Sequence, residues 1–231
     1  DIKKKYIYYG IHGGTQWPGI ASTPEGIVII PSNNIAFRMK LKNPDDFELK
    51  KEIFKLIESI ANINFNNFSK FKNSIKDILN RKNKIIYFKK PKEENWEKFV
   101  NSDGIPLNNP PWGVLVAIDI KNKVKKWTIP HGSYEILENK SEEYGSEIFG
   151  SPLILSSGII FIAGTDDRKL KAYSLETGNK IWEDLLPHSS YGSLVIAEHQ
   201  NKQYLIVNSS SGVNFESSPG DAVVAYELKI K

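Results

Sequence analysis

Short apolar runs separated by polar turns set the rhythm of this chain. "IASTPEGIVIIPSNN", "GVLVAIDIKNKVKKWTIP", "SPLILSSGIIFIAG", "RKLKAYSLETGNKIWEDL", "GSLVIAEHQNKQYLIVNSSSG" and "GDAVVAYELKIK" are each rich in β-branched residues and bounded by glycine, asparagine, aspartate or proline. Runs of this length, with period-two alternation and turn residues at both ends, predict β-strands joined by tight turns.

The strands repeat. Ala117 and Ala172 are 55 residues apart, and so are Trp127 and Trp182. Each copy reads as a strand ending in Asp119 or Ser174, a polar turn, and a second strand that carries the tryptophan. A third copy begins at Ala225 and contains no tryptophan. Pairs of strands precede the second and third copies, and "IASTPEGIVIIPSNN" precedes the first at a distance. Tandem four-stranded units predict propeller blades; a β-sandwich is the alternative, but it gives no reason for the repeated Ala–Trp spacing. The expected fold class is all-β, a partial β-propeller of about three four-stranded blades, the last lacking its fourth strand.

Between Ile35 and Pro110 the first unit is interrupted. Apolar residues at Ile53, Leu56, Ile57 and Ile60, then at Phe68, Phe71, Ile75, Ile78 and Leu79, fit two amphipathic helices. A helical insertion over about 42–84 is therefore expected within the first blade, either a tolerated loop insertion or a docking element.

An aromatic–glycine pair leads into the first strand of each unit: Trp17-Pro18-Gly19, Phe149-Gly150 and Tyr191-Gly192. The first strand of a propeller blade lies beside the axis, so three such pairs would face one funnel. Glycine allows close approach to the backbone and aromatic rings give a flat apolar wall, a combination suited to a planar ligand with polar edges. Aromatic wedges between neighbouring blades would give the same pattern.

Composition narrows the chemistry. The 231 residues are 40% hydrophobic, enough for a large core, and carry a net charge of +4. Most of the excess base lies within Lys40–Lys98 without interleaved aromatics, which reads as a solvated face and not as a nucleic-acid surface. The chain has no cysteine, which excludes disulfides, thiolate metal sites and covalently attached c-type haem. His131, His188 and His199 show no metal-ligand spacing, and His12 has no partner for base catalysis. Asp166, Asp167 and Lys169, in "GTDDRKLKA", read as a surface hairpin, and Asp221 as a turn residue.

The blocks "GIHGGTQWPG", "PPWGVLVAIDIKNKVKKW", "FGSPLILSSGIIFIAGTDDRKLKAYSLETGNKIWEDLLP" and "NKQYLIVNSSSG…GDAVVAYEL", in this order, resemble the C-terminal part of the pyrroloquinoline quinone (PQQ) dehydrogenases, most closely the glucose/polyol branch. The resemblance covers the chain outside about Lys42–Lys84. It implies an eight-bladed ring with PQQ in an axial funnel, a calcium ion polarising the quinone, and oxidation of an alcohol or aldose hydroxyl. It also implies a periplasmic or periplasm-facing location and a quinone or cytochrome as electron acceptor. Gln16, Trp17, Phe149 and Gly150 fall where the family lines the cofactor.

The family's Asp base and its Glu, Asn and Asp calcium ligands have no counterpart here, so no catalytic or metal residue is assigned. They are expected on upstream blades or a complementary chain, which this chain would need as partner. Ser209–Ser211 stand where many relatives carry glycines. The rival readings are a non-catalytic propeller that binds polypeptide strands and a degenerate remnant without activity.

Overall fold

The computed structural model describes residues 5–9, 14–15, 18–40, 96–210 and 220–229. The expected helical insertion over about 42–84 lies outside the described residues. The chain divides into one compact unit of residues 1–6 and 38–97 and a second of residues 7–37 and 98–231. In the first unit, Arg38 pairs with Glu97.

Fourteen strands account for nearly all the described secondary structure. Strands β1 (Lys5–Tyr9), β4 (Ala36–Lys40) and β5 (Trp96–Lys98) form a small sheet in the order β1-β4-β5. The second unit holds the repeating sheets. The first contains β2 (Ala21–Ser22), β3 (Ile27–Asn33), β6 (Gly113–Asp119) and β7 (Val124–Pro130), hydrogen-bonded in that order. The second contains β8 (Leu153–Ile154), β9 (Ile159–Ile162), β10 (Lys169–Ser174) and β11 (Lys180–Leu185). The third contains β12 (Val195–His199), β13 (Lys202–Ser209) and β14 (Ala222–Leu228). All three are antiparallel meanders with the first strand at one edge, the order of a propeller blade.

The split first sheet closes as its sequence suggested. β3 and β6 pair over seven residues, from Ile27 opposite Asp119 to Asn33 opposite Gly113. The Ala–Trp spacing is also explained, because Ala117 lies directly opposite Trp127 and Ala172 directly opposite Trp182. In both sheets the register shifts just after the alanine, between Ala117 and Ile118 and between Ala172 and Tyr173. The small side chain leaves room for the indole across the strand pair, and the bulge turns the following residue away.

Two cores lie between successive sheets. Ile29, Leu115 and Ala117 of the first sheet pack against Ile148, Ile160, Ile162 and Tyr173. Phe161, Leu170, Ala172 and Leu186 of the second pack with Leu194, Leu205 and Val207 of the third. The second sheet thus buries one face against the first and the other against the third, as successive propeller blades do. A smaller cluster of Ile35, Phe37 and Trp112 sits beside the first sheet. There the Trp112 ring meets Tyr134 and Tyr144 edge-on, and its indole N–H donates to the Asn108 carbonyl at 2.8 Å.

Candidate functional site

Antiparallel order decides which connections share an end. In the second sheet, the β8–β9 and β10–β11 turns lie at one end. The β9–β10 connection (163–168) and the β11–β12 connection (186–194) lie at the other, together with the segment that leads into β8. Phe149, Gly150, Asp166, Asp167, Ser189, Ser190 and Tyr191 therefore occupy one end of the second and third sheets.

Two of the aromatic–glycine pairs meet there. The rings of Phe149 and Tyr191 lie edge-to-face with centroids 5.2 Å apart, and both side chains are buried. The Tyr191 hydroxyl donates to the exposed Asp166 carboxylate, and Ser151 Oγ donates to Ser193 Oγ at 3.3 Å across the same gap. Gln16 and Trp17, the other predicted wall residues, lie outside the described residues.

Gly150 has a structural use of its own. A Cβ there would lie 2.1 Å from the Ala163 carbonyl oxygen, so the missing side chain lets two backbones approach. The adjacent Phe149 N–H donates to the Gly164 carbonyl at 2.7 Å.

The segment carrying Phe149 is pinned along its length. Trp112 N–H donates to the Tyr144 carbonyl at 2.7 Å, and Ser146 N–H donates to the His131 carbonyl at 2.9 Å. The N–H and the carbonyl of Ile148 both bond to the side-chain amide of Asn33.

Beneath this end, the seam between the first and second sheets holds a buried polar network. Asp167 and Lys171 form an ion pair at 2.8 Å, with side chains only 2% and 3% exposed. Ser133 Oγ donates to the same carboxylate at 3.0 Å and Thr165 Oγ1 at 2.6 Å. The Lys169 N–H donates to it at 3.1 Å. This corrects the surface-hairpin expectation for Asp167. The turn is at the surface for Asp166, but Asp167 faces inward, because the four donors offset the desolvation of its charge.

The electrostatics follow. Burial pushes the Asp167 carboxyl up, but the Lys171 charge and the hydrogen bonds from Lys171 and Thr165 outweigh it, and its pKa lies below the ordinary value. His131, 2.9 Å from the Tyr173 hydroxyl through Nδ1, is held neutral. Burial first and the Lys171 charge second lower its pKa to about 3. Burial also raises that of Tyr173. A neutral histidine and an undissociated tyrosine leave the ion pair to carry the charge of this network.

Sequence reading missed a further set of polar groups. The Ser189 and Ser190 hydroxyls, each 1% exposed, have no hydrogen-bond partner among the described residues, and neither has His188 Nδ1. Buried hydroxyls are almost always bonded, so two in succession beside Tyr191 suit a ligand with polar edges. Among the described residues no group of three or more His, Asp and Glu side chains could hold a metal ion.

A blade-like sheet order repeated three times, with successive sheets packed face against face, is that of a β-propeller. The family model for the PQQ-type "glucose/ethanol/alcohol dehydrogenase, beta-propeller domain" matches residues 2–205, and the chain belongs to that family. It is 33% identical over 146 residues to a probable quinate dehydrogenase (quinone) of Xanthomonas campestris pv. juglandis, which covers 60% of this chain and 18% of the relative. It is 28% identical over 136 residues to the quinoprotein glucose dehydrogenase of Escherichia coli, covering 56% and 17%. The chain thus spans less than a fifth of the length of these curated relatives. Among solved structures it superposes on the quinohemoprotein alcohol dehydrogenase from Comamonas testosteroni with a TM-score of 0.50 at 17% identity. That superposition covers 90% of this chain and 24% of the other, and it supports the fold.

Proposed function

We propose that this chain forms one arc of a PQQ-binding funnel in a dehydrogenase that oxidises an alcohol or aldose. One observation carries the reading: the model of the PQQ-type propeller domain matches residues 2–205, and the contact of Phe149 with Tyr191 at one end of their sheets is in keeping with it. In this reading Phe149, Gly150 and Tyr191 supply an apolar face, and Gln16 and Trp17 extend it. Ser189 and Ser190 offer their unpartnered hydroxyls to the polar edge of the cofactor. PQQ, when bound, accepts the two electrons of the substrate; the protein positions it and excludes water.

The base and the calcium ligands come from blades outside these residues, on the same or a complementary polypeptide. The electron acceptor is a quinone or a cytochrome, and the enzyme faces the periplasm. The names of the relatives, which include quinone-linked dehydrogenases and a quinohemoprotein, support the acceptor, and the family resemblance supports the location.

The test is reconstitution. The chain is titrated with PQQ and Ca²⁺, alone and with polypeptide carrying the remaining blades, and quinone binding and dye-linked oxidation of glucose and simple alcohols are followed. Saturable PQQ binding, and oxidation only when all blades are present, is the expected outcome. No PQQ binding by either preparation overturns the reading.

A further inference from the structure

One residue is bonded both to the glycine-rich segment at Gly14 and to the segment that carries Phe149. Asn33, at the end of β3, is 7% exposed. Its backbone N–H donates to the Gly14 carbonyl at 2.8 Å, within the glycine-rich segment that leads to Gln16 and Trp17. Its side-chain Nδ2 donates to the Ile148 carbonyl at 2.9 Å, and its Oδ1 accepts the Ile148 N–H at 2.9 Å. Ile148 immediately precedes Phe149 and is itself fully buried. The partners are 115 residues apart in sequence.

The chemistry of this bond pair is selective. A carboxamide presents one donor and one acceptor side by side and so pairs with a backbone N–H and carbonyl as a second strand would. An ionised aspartate accepts but does not donate, and leucine of the same outline does neither. Two hydrogen bonds also fix a direction, where one would leave Ile148 free to pivot. From this we infer that Asn33 is a positioning residue: by fixing the main chain of Ile148 it fixes Phe149, the next residue, for the ligand of the proposed wall. The inference rests on the cofactor reading for the ligand, but not for the placement of Phe149.

The experiment separates the two. The chain is labelled with fluorophenylalanine, and the Phe149 fluorine resonance is assigned by its loss in Phe149→Leu. Asn33→Leu and Asn33→Asp are compared with Leu228→Val, a substitution at a partly buried residue of the other core. PQQ affinity is measured on the same samples.

Both Asn33 variants are expected to move the Phe149 resonance while Leu228→Val leaves it in place. They should also weaken PQQ binding about tenfold or more, the scale of one buried hydrogen bond. If Asn33→Leu does not fold, Asn33→Asp decides. A Phe149 resonance that moves no further than in the Leu228→Val control overturns the inference. So does a moved resonance with unchanged PQQ affinity. Failure of the unmodified chain to bind PQQ, both alone and with the remaining blades, overturns the cofactor reading, and the resonance alone then judges Asn33.

Discussion

Trp127 of the first sheet lies against Gly178 of the second. The indole N–H donates to the Leu175 carbonyl at 3.1 Å, and a Cβ on Gly178 would sit 2.9 Å from the ring. Gly178 has φ +76°, a conformation side chains rarely adopt. Gly178→Ala therefore combines backbone strain with a displaced indole and should cost about 2–3 kcal/mol. Trp127→Phe, which loses one hydrogen bond, should cost about 1–2 kcal/mol. Urea denaturation of the two variants checks the order, and a Gly178→Ala chain as stable as the parent would refute the contact.

The Asp167–Lys171 pair is buried and fully hydrogen-bonded on the carboxylate side. Lys171→Met leaves a buried carboxylate without its counter-ion and should destabilise by about 3–5 kcal/mol. The double variant Asp167→Leu/Lys171→Met removes both charges and should recover most of that loss. A double-variant stability no better than that of Lys171→Met would show that the surrounding hydroxyls, and not the charge balance, hold the seam together.

Acid should loosen the same seam. The folded state holds His131 neutral down to about pH 3, while an unfolded chain protonates it below its ordinary value of 6.5. The unfolded state then binds more protons, so stability falls as pH drops from about 6.5 toward 3. Asp167, also depressed, adds a loss that begins lower, below its ordinary value of 3.8. His131→Gln should flatten the pH dependence between about pH 6.5 and 4 and leave the lower limb in place. Unfolding midpoints across that range test this, and an unchanged slope would assign the acid sensitivity to other groups.

Phe149 and Tyr191 should be energetically coupled. An edge-to-face pair contributes about 0.5–1.5 kcal/mol beyond burial. A double-mutant cycle with Phe149→Leu and Tyr191→Leu should return a coupling energy in that range. Additive losses would mean that the rings are neighbours without interaction.

Among the described residues the third sheet ends at β14. β14 pairs with β13 on one side, and Val223 at its start is 70% exposed. Exposed strand edges promote pairing with other chains. Val223→Lys should lower concentration-dependent association of the isolated chain by light scattering, and unchanged association would place the sticky surface elsewhere.

Much of the architecture was legible because propeller blades repeat. The Ala–Trp spacing marks a direct cross-strand pair, so its recurrence reported a recurring sheet. The aromatic–glycine pairs were legible for the same reason, and Phe149 and Tyr191 proved to be neighbours. Asn33 was not legible, since its partner lies 115 residues away and a single asparagine at a strand end reads as a turn residue. Asp167 was misread because local pattern gives it the polarity of a surface hairpin. Only the packing of one sheet on the next reveals that this turn is covered. Ser189 and Ser190 carry no motif and became visible through burial alone.

The β3–β6 ladder also bears on the order in which the molecule assembles. The second sheet is built from four consecutive strands within Leu153–Leu185, whereas the first must bring Asn33 to Gly113 across the intervening segment. Closing so wide a loop carries an entropic cost that local hairpins escape, and non-local pairing slows folding. The second sheet is therefore expected to nucleate first and to serve as the template on which the interrupted sheet later zips together, so that refolding proceeds from the middle of the chain toward its beginning.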